Sequence, residues 1–411
     1  MKDFYWNKSV VTHMHIELSN FCNAACPFCP RFVDSTSKVR PELKLNSITL
    51  EQFKSWFPLS FMKHMKRILF CGTHGDPLMA KDVVEIIDYI QTSSPKCTIQ
   101  INTNGGMRNP EFFRKLGEKL VERKTKHKVV FSIDGLEDTN HLYRRNVKWD
   151  RLIENAKAFN KTGANGWWEY LIFEHNEHQL TEAKELSKEL GFNYIEFKKA
   201  LGFDPGKSGS LKARGVYDKE GNLEYIISPP SNKSLVNSSH RPDSVDRNVK
   251  SKKDLSYLKN FAPGVNPVVD EKLAEFKESE IPHWNTYIKQ FEESEIKCKS
   301  CMSSETSEIY VSCNGIVFPC CFVGTRVDSA IDLYEDTQLR YHINKFGKDK
   351  FNLNTTSVKK IIKRGYLDEV YTSSWNKGSY AEGKLSYCAM TCGNNSEIDR
   401  IYSRNDKFKK D

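Results

Sequence analysis

Three cysteines, Cys22, Cys26 and Cys29, lie three and two residues apart in the segment ELSNFCNAACPFCPRF, residues 17–32. A structural zinc site takes four ligands, often as two C-x2-C pairs, and neither His nor Cys follows within the next 30 residues. Three thiolates on a [4Fe–4S] cluster leave one iron without a protein ligand, and that iron can bind a substrate or cofactor. A partial zinc site is the alternative chemistry for the same residues.

The other cysteines fall into two sets. Cys71 and Cys97 are isolated in apolar, β-branched surroundings and read as small buried hydrophobes. Seven more crowd the later chain: Cys298, Cys301, Cys313, Cys320, Cys321, Cys388 and Cys392. The first residues, MKDFYWNKSV, contain no apolar signal core, and no run of about 18 apolar residues occurs anywhere. A cytoplasmic, reducing setting is therefore expected, with no membrane contact. There, clustered thiols act as metal ligands rather than disulfides. The net charge of +9 weakly favours anionic partners. Nucleic acid is not expected, because Asp243, Asp246 and Asp254 interrupt the basic run of 241–260.

The elements that must position the early thiols alternate between strand and helix. Strand patterns fall at 11–19, 67–72, 97–106, 128–136, 167–175 and 193–200. Helix patterns fall at 80–91, 111–124, 149–163 and 181–192. Repeated βα units imply parallel strands with helical crossovers, and six units fit a partly open barrel: an α/β fold, a partial (β/α)6 TIM-like barrel over residues 1–200. Functional groups in such sheets collect where strands end at their C-terminal side, and Cys22 directly follows the first strand. Residues 201–295 are rich in Ser, Pro, Gly, Lys and Asp and read as a linker or insertion. A short helix around 270–293 would lead into the cysteine-rich segment 296–411. There, IYVSCNGIVFPCC reads as a hairpin turning at Asn314-Gly315.

CNAACPFC resembles the C-x3-C-x2-C signature of the radical S-adenosylmethionine (SAM) superfamily, with an aromatic residue, Phe28, before the last cysteine. The resemblance covers roughly residues 10–200. It implies that the open iron chelates SAM, whose cleavage yields a 5′-deoxyadenosyl radical that takes a hydrogen atom from substrate. GTHGDP (72–77) resembles the family's G-G-E-P loop, with Asp76 in place of the usual glutamate. This match puts Gly75, Asp76 and Pro77 at the methionyl amino group. TNGG (103–106) brings Asn104 to the third strand end.

FSIDGLEDTNHLYR (131–144) resembles the S-x-D-G…Y-R segment of anaerobic sulfatase-maturating enzymes. By that match Ser132 and Asp134 approach the ribose or carboxylate. Arg144, rather than its neighbour Arg145, pairs with the carboxylate. Taken singly, GDP and TNGG are ordinary turns, Asp134 could cap a turn, and Arg144 could be a surface charge. Their order after successive strands favours the site. Glu174 and His175, at the end of the fifth strand, are candidates for substrate-facing acid/base work. Asn176 reads as a helix cap, with a His175/His178 metal pair as a lesser alternative.

Cys301, Gly315 and Cys320 resemble the opening of the SPASM and twitch auxiliary-cluster modules. With Cys388 and Cys392 they would give a four-thiolate [4Fe–4S] site in a small cysteine-rich α+β domain. Cys298 and Cys321 remain alternative ligands, and a zinc ribbon the alternative site. No cysteine occurs between 322 and 387, which favours the single-cluster twitch form. The function implied is oxidative modification of a peptide or protein, with a reductant such as flavodoxin or ferredoxin. A dehydrogenase or cyclase acting on a carbohydrate or nucleotide is the second reading. A zinc-stapled nucleic-acid-binding protein is the third.

Overall fold

The computed structural model describes residues 11–33, 35–41, 43–122, 126–200, 203–205, 211–232, 292–296, 308–327, 347–363, 365, 367–393 and 407–409. Six parallel strands lie side by side in chain order: β1 (His13–Ile16), β2 (Arg67–Phe70), β3 (Thr98–Thr103), β4 (Lys128–Ser132), β5 (Gly166–Ile172) and β6 (Tyr194–Lys199). The crossovers carry helices α1 (Leu50–Trp56), α2 (Val83–Ser93), α3 (Pro110–Val121), α4 (Trp149–Asn160) and α5 (Leu180–Glu189). This is the expected partial (β/α)6 barrel.

The helices form for local reasons. In α2, Val83, Ile86, Ile87 and Ile90 recur at three- and four-residue spacing and are all buried. Helix α3 begins with Asn109 accepting from the Phe112 amide and Pro110 in the first turn. Helix α1, which the periodicity of the sequence did not place, starts with a capping box between Thr49 and Gln52. Its buried face carries Phe53 and Trp56.

The sheet curls. In a flat sheet, strands three places apart lie about 14 Å from each other. Yet Glu169 on β5 and Lys198 on β6 both act electrostatically on the Cys71 thiol just beyond β2. Half-buried Glu169 and Lys198 are themselves paired at 2.7 Å. The concave side of the sheet is thus a polar interior. The helix side is packed by aromatic rings: Phe131 contacts Phe113, Phe159 and Phe192 with centroids 5.6–5.7 Å apart.

Further elements extend beyond the six units. A hairpin of β7 (Arg214–Tyr217) and β8 (Leu223–Ile227) follows the barrel, its turn held by Asp218 accepting from the Glu220 and Asn222 amides. The later chain supplies β9 (Glu308–Val311), β10 (Val317–Phe318) and β11 (Lys407–Lys409). These join the barrel sheet, giving the order β10-β9-β1-β2-β3-β4-β5-β6-β11. Strand β9 runs parallel to β1, whereas β10 and β11 are antiparallel edges. The hairpin expected at Asn314-Gly315 is β9–β10, with Gly315 at φ +82°. Residues 270–291 of the helix expected around 270–293, and the candidate ligands Cys298 and Cys301, lie outside the described residues.

Candidate active site

The loop after β1 gathers the three thiols, and each meets a different strand end. The Asn104 Nδ2, after β3, lies 3.5 Å from the Cys22 sulfur. The Arg144 Nη1, after β4, lies 3.6 Å from the Cys26 sulfur. The Cys29 thiol faces the Thr73 carbonyl, after β2, at 3.9 Å. Burial pushes the Cys22 and Cys29 thiols up to about 12, and that of Cys26 upward as well. Thiolates are stable in such a setting only beside a strong positive charge, which is what an iron cluster supplies. The donor set therefore fits a cluster. Among the described residues no three His, Cys, Asp or Glu side chains converge closely enough for one metal ion.

The glycine loop is held against the cysteine loop by close backbone packing. A Cβ on Gly75 would stand 2.2 Å from the Ser19 carbonyl oxygen and 2.4 Å from the Asn20 Cα. A Cβ on Gly72 would meet the Gly75 carbonyl oxygen at 2.0 Å. Buried Asp76 accepts from the Leu78 amide at 3.0 Å, the Asn104 amide at 2.8 Å and the Thr103 hydroxyl at 2.9 Å. It therefore staples this loop to the end of β3, while Pro77 opens a short 3-10 turn. Burial raises the Asp76 carboxyl to about 6 despite these bonds.

Two supports were not visible in the sequence. Glu17 accepts from the Thr73 and His74 amides, and the bonds from this loop outweigh the effect of burial, so its net shift is downward. Buried Arg31 donates to the Asn20 and His74 carbonyls, tying the two loops together.

Arg144 donates from Nε to the Asp134 carboxylate at 2.6 Å, and Asp134 is fully buried. The second Asp134 oxygen accepts the Leu171 amide at 2.7 Å. Both oxygens are thus engaged by the protein, and Asp134 serves as the anchor that orients Arg144. Half-buried Ser132 stands in register with Glu169 on β5. Asn176, read from the sequence as a helix cap, makes no cap bond. Its side chain instead accepts from the Phe173 amide and donates to the Asp134 and Leu171 carbonyls, fixing the β4 and β5 ends to each other. Arg145 turns away to the hairpin, where it pairs with Glu224.

Phe28 forms one wall of the mouth. Its ring packs edge-on against Tyr143 at 5.6 Å and Phe203 at 5.2 Å, with the Arg214 guanidinium 4.6 Å from its centroid. His175 stacks on Phe173 at 5.2 Å, and its Nε2 is buried without a hydrogen-bond partner. Burial, then the neighbouring His141 and His178, lower it to about 4, so the ring is neutral at pH 7. Glu174 is exposed, and its amide donates to the Ser228 carbonyl beyond β8. The two candidate acid/base side chains are not brought together. The sequence did not single out the paired side chains of Glu169 and Lys198 on the concave face.

Of the later candidates, Cys320, Cys388 and Cys392 are buried. Cys388 and Cys392 lie four residues apart on the helix Ser386–Cys392, hence on one face. Cys321 is near enough to Cys320 and Cys71 for their charges to act on it, and burial raises its thiol well above the usual range.

A curled parallel sheet carries three thiols at the end of its first strand, ringed by loops from the next three, and this donor set would suit a [4Fe–4S] cluster. Residues 16–186 match the family model described as the Radical SAM superfamily. The chain carries a radical SAM domain and is an enzyme of the radical SAM type, with a [4Fe–4S] cluster and SAM as its cofactors.

Similar solved structures include anSMEcpe with bound AdoMet, at 14% identity and TM-score 0.47 over 95% of this chain and 92% of that one. SuiB of Streptococcus suis bound to precursor peptide SuiA matches at 15% and 0.40, over 92% and 76%. BtrN in complex with AdoMet and 2-DOIA matches at 14% and 0.39, over 96% and 98%. Among the described residues no helix is long and apolar enough to cross a membrane.

Proposed function

We propose that Cys22, Cys26 and Cys29 hold the SAM-binding cluster and that the enzyme oxidatively modifies a side chain of a peptide or protein. When bound, the cluster and SAM supply reductive cleavage of the sulfonium and a 5′-deoxyadenosyl radical that abstracts hydrogen. Arg144 holds the SAM carboxylate with the edge of its guanidinium that Asp134 leaves open. The carbonyls of the loop 72–77 receive the methionyl amino group. Phe28 bounds the adenine side. Glu169 and Lys198 face substrate and are placed to move a proton there.

The contact of Arg144 with both Asp134 and Cys26 is the observation that carries this cofactor placement. The hairpin β7–β8 supports a peptide substrate. It lies over the mouth, bonding Ser35 of the cysteine loop through Tyr217 and the Leu142 carbonyl through Tyr225. Among the described residues it pairs with no third strand, and Leu223 and Ile226 are 56% and 59% exposed. An open strand edge with apolar side chains suits an extended peptide, which can add as a further strand.

We also propose an auxiliary cluster on Cys301, Cys320, Cys388 and Cys392, within a twitch-type unit from about residue 296. The experiment is a substrate screen. Anaerobic protein with SAM and dithionite is given extended peptides, sugars or nucleotides carrying deuterium. Transfer of deuterium into 5′-deoxyadenosine from peptides supports the reading. Transfer only from sugars or nucleotides replaces it with the dehydrogenase or cyclase alternative.

A further inference from the structure

A cavity of about 530 Å³ opens beside the cysteine loop, lined by Asn23, Met79, Lys81, Gly106, Met107, Arg108, Asn146, Lys148 and Arg151. Four of these side chains are cationic and none is acidic. The side chains of Lys81, Lys148 and Arg151 are exposed and make no hydrogen bond or ion pair among the described residues. Arg108 is pinned by donating to the Leu78 and Ala80 carbonyls, both at 2.9 Å. The wall of the cavity is one hydrogen bond from the site: Asn23 Oδ1 accepts Asn104 Nδ2 at 2.9 Å, and that same Nδ2 lies 3.5 Å from the Cys22 sulfur.

We infer that this basic cavity is the docking site of an acidic, protein-borne one-electron carrier that reduces the SAM-binding cluster. The inference rests on the cluster assignment above. Unpaired cations on an exposed surface raise the local concentration of an anionic partner and speed its encounter. A small anion would be better held by buried cations with fixed bonds, and only Arg108 of the four is fixed. Exposed cations around an opening suit the acidic rim of a protein instead. The position suits the task, because the cavity reaches the cluster loop from beside the ends of β2 and β3 rather than across the hairpin. In the transfer itself the carrier is oxidised by one electron and the cluster reduced by one, with no bond made or broken.

The test measures binding of oxidised flavodoxin, a carrier with an acidic surface, to cluster-reconstituted protein by calorimetry at low and at raised salt. The comparison is the triple variant Lys81→Glu/Lys148→Glu/Arg151→Glu. Wild-type affinity should fall with salt, and the variant should bind on the order of ten-fold more weakly at low salt with a flatter salt dependence. Dithionite, a small reductant, should drive SAM cleavage equally in both proteins.

Absence of wild-type binding, or equal affinity in the variant, overturns the proposal. So does tight binding of inorganic pyrophosphate that the variant abolishes while still binding flavodoxin. Failure of the wild type to cleave SAM with dithionite would instead count against the cluster assignment, and the binding measurement distinguishes the two.

Discussion

Arg144 and Asp134 form a pair at 2.6 Å in which the carboxylate is fully buried and the guanidinium continues to the Cys26 sulfur. The acid fixes the base, and the base faces the cluster loop. Removing Arg144 would leave a buried charge without its partner, which typically costs about 3–5 kcal/mol.

Arg144→Ala should therefore lower stability as well as SAM affinity. The double variant Asp134→Asn/Arg144→Ala should regain much of the stability, because the amide oxygen can still accept from Leu171. It should not regain SAM binding, which falls roughly ten-fold or more with loss of a charge-assisted pair. Thermal melts alongside equilibrium dialysis with SAM separate the two effects. Recovery of SAM affinity in the double variant would remove Arg144 from the site.

Arg145→Ala should behave differently. Its pair with Glu224 is partly exposed and worth roughly 0.2–1 kcal/mol. The expected result is near-normal SAM affinity with faster proteolytic nicking at 214–227. A large loss of SAM affinity would mean that the two neighbouring arginines exchange roles.

Asp76 predicts a pH effect with an unusual sign. Its folded value, about 6, lies above the ordinary carboxylate value, so the folded protein binds more protons between roughly pH 4 and 6. This group's contribution should make the cluster-free protein less stable as pH rises through that window. Asp76→Asn should flatten the slope. It should also lower stability at acid pH, where wild-type Asp76 is neutral, because an amide places an NH2 group against neighbouring N–H donors. Melting temperatures of both proteins across the window give the comparison, and parallel curves would contradict the assignment.

Gly75→Ala should disturb the cysteine loop, because the new methyl meets backbone that cannot swing aside. Iron and sulfide content after reconstitution should drop. Gly163→Ala is the control. It has φ +78° but open space around it, so it should cost about 1 kcal/mol and leave iron content unchanged.

The Cys22→Ala/Cys26→Ala/Cys29→Ala variant should retain about four irons if the later cysteines bind a cluster. A folded, iron-free variant would eliminate the auxiliary site.

The cysteine spacing, the six strands and four of the five crossover helices were legible because these are local patterns: thiols at fixed separations and apolar residues at helix or strand period. Asn176 misled for the same reason. It stands where a cap should, but tertiary bonds to Asp134 and Leu171 claimed its side chain. Glu169 and Lys198 were hidden because a charge facing a polar barrel interior alternates along its strand just as a solvent-facing one does. The role of Asp134 as anchor was equally invisible, since it depends on Leu171 arriving from another strand. The Thr49–Gln52 box of α1 is a local signal, but the seven-residue helix it opens is too short to show a helical period.

Strand β9 lies directly beside β1, with His13 opposite Glu308. During synthesis β1 can pair with β2 early, but its other edge has no partner until the chain has grown past residue 311. Such distant pairings slow folding, and an open edge in the meantime invites pairing with other chains. The strand that leads into the cysteine loop is thus enclosed only after all six strands have been made, and β6 alone waits longer, for β11. Cluster insertion would be best timed after release from the ribosome, and chains stopped near residue 200 should aggregate rather than form a small working barrel.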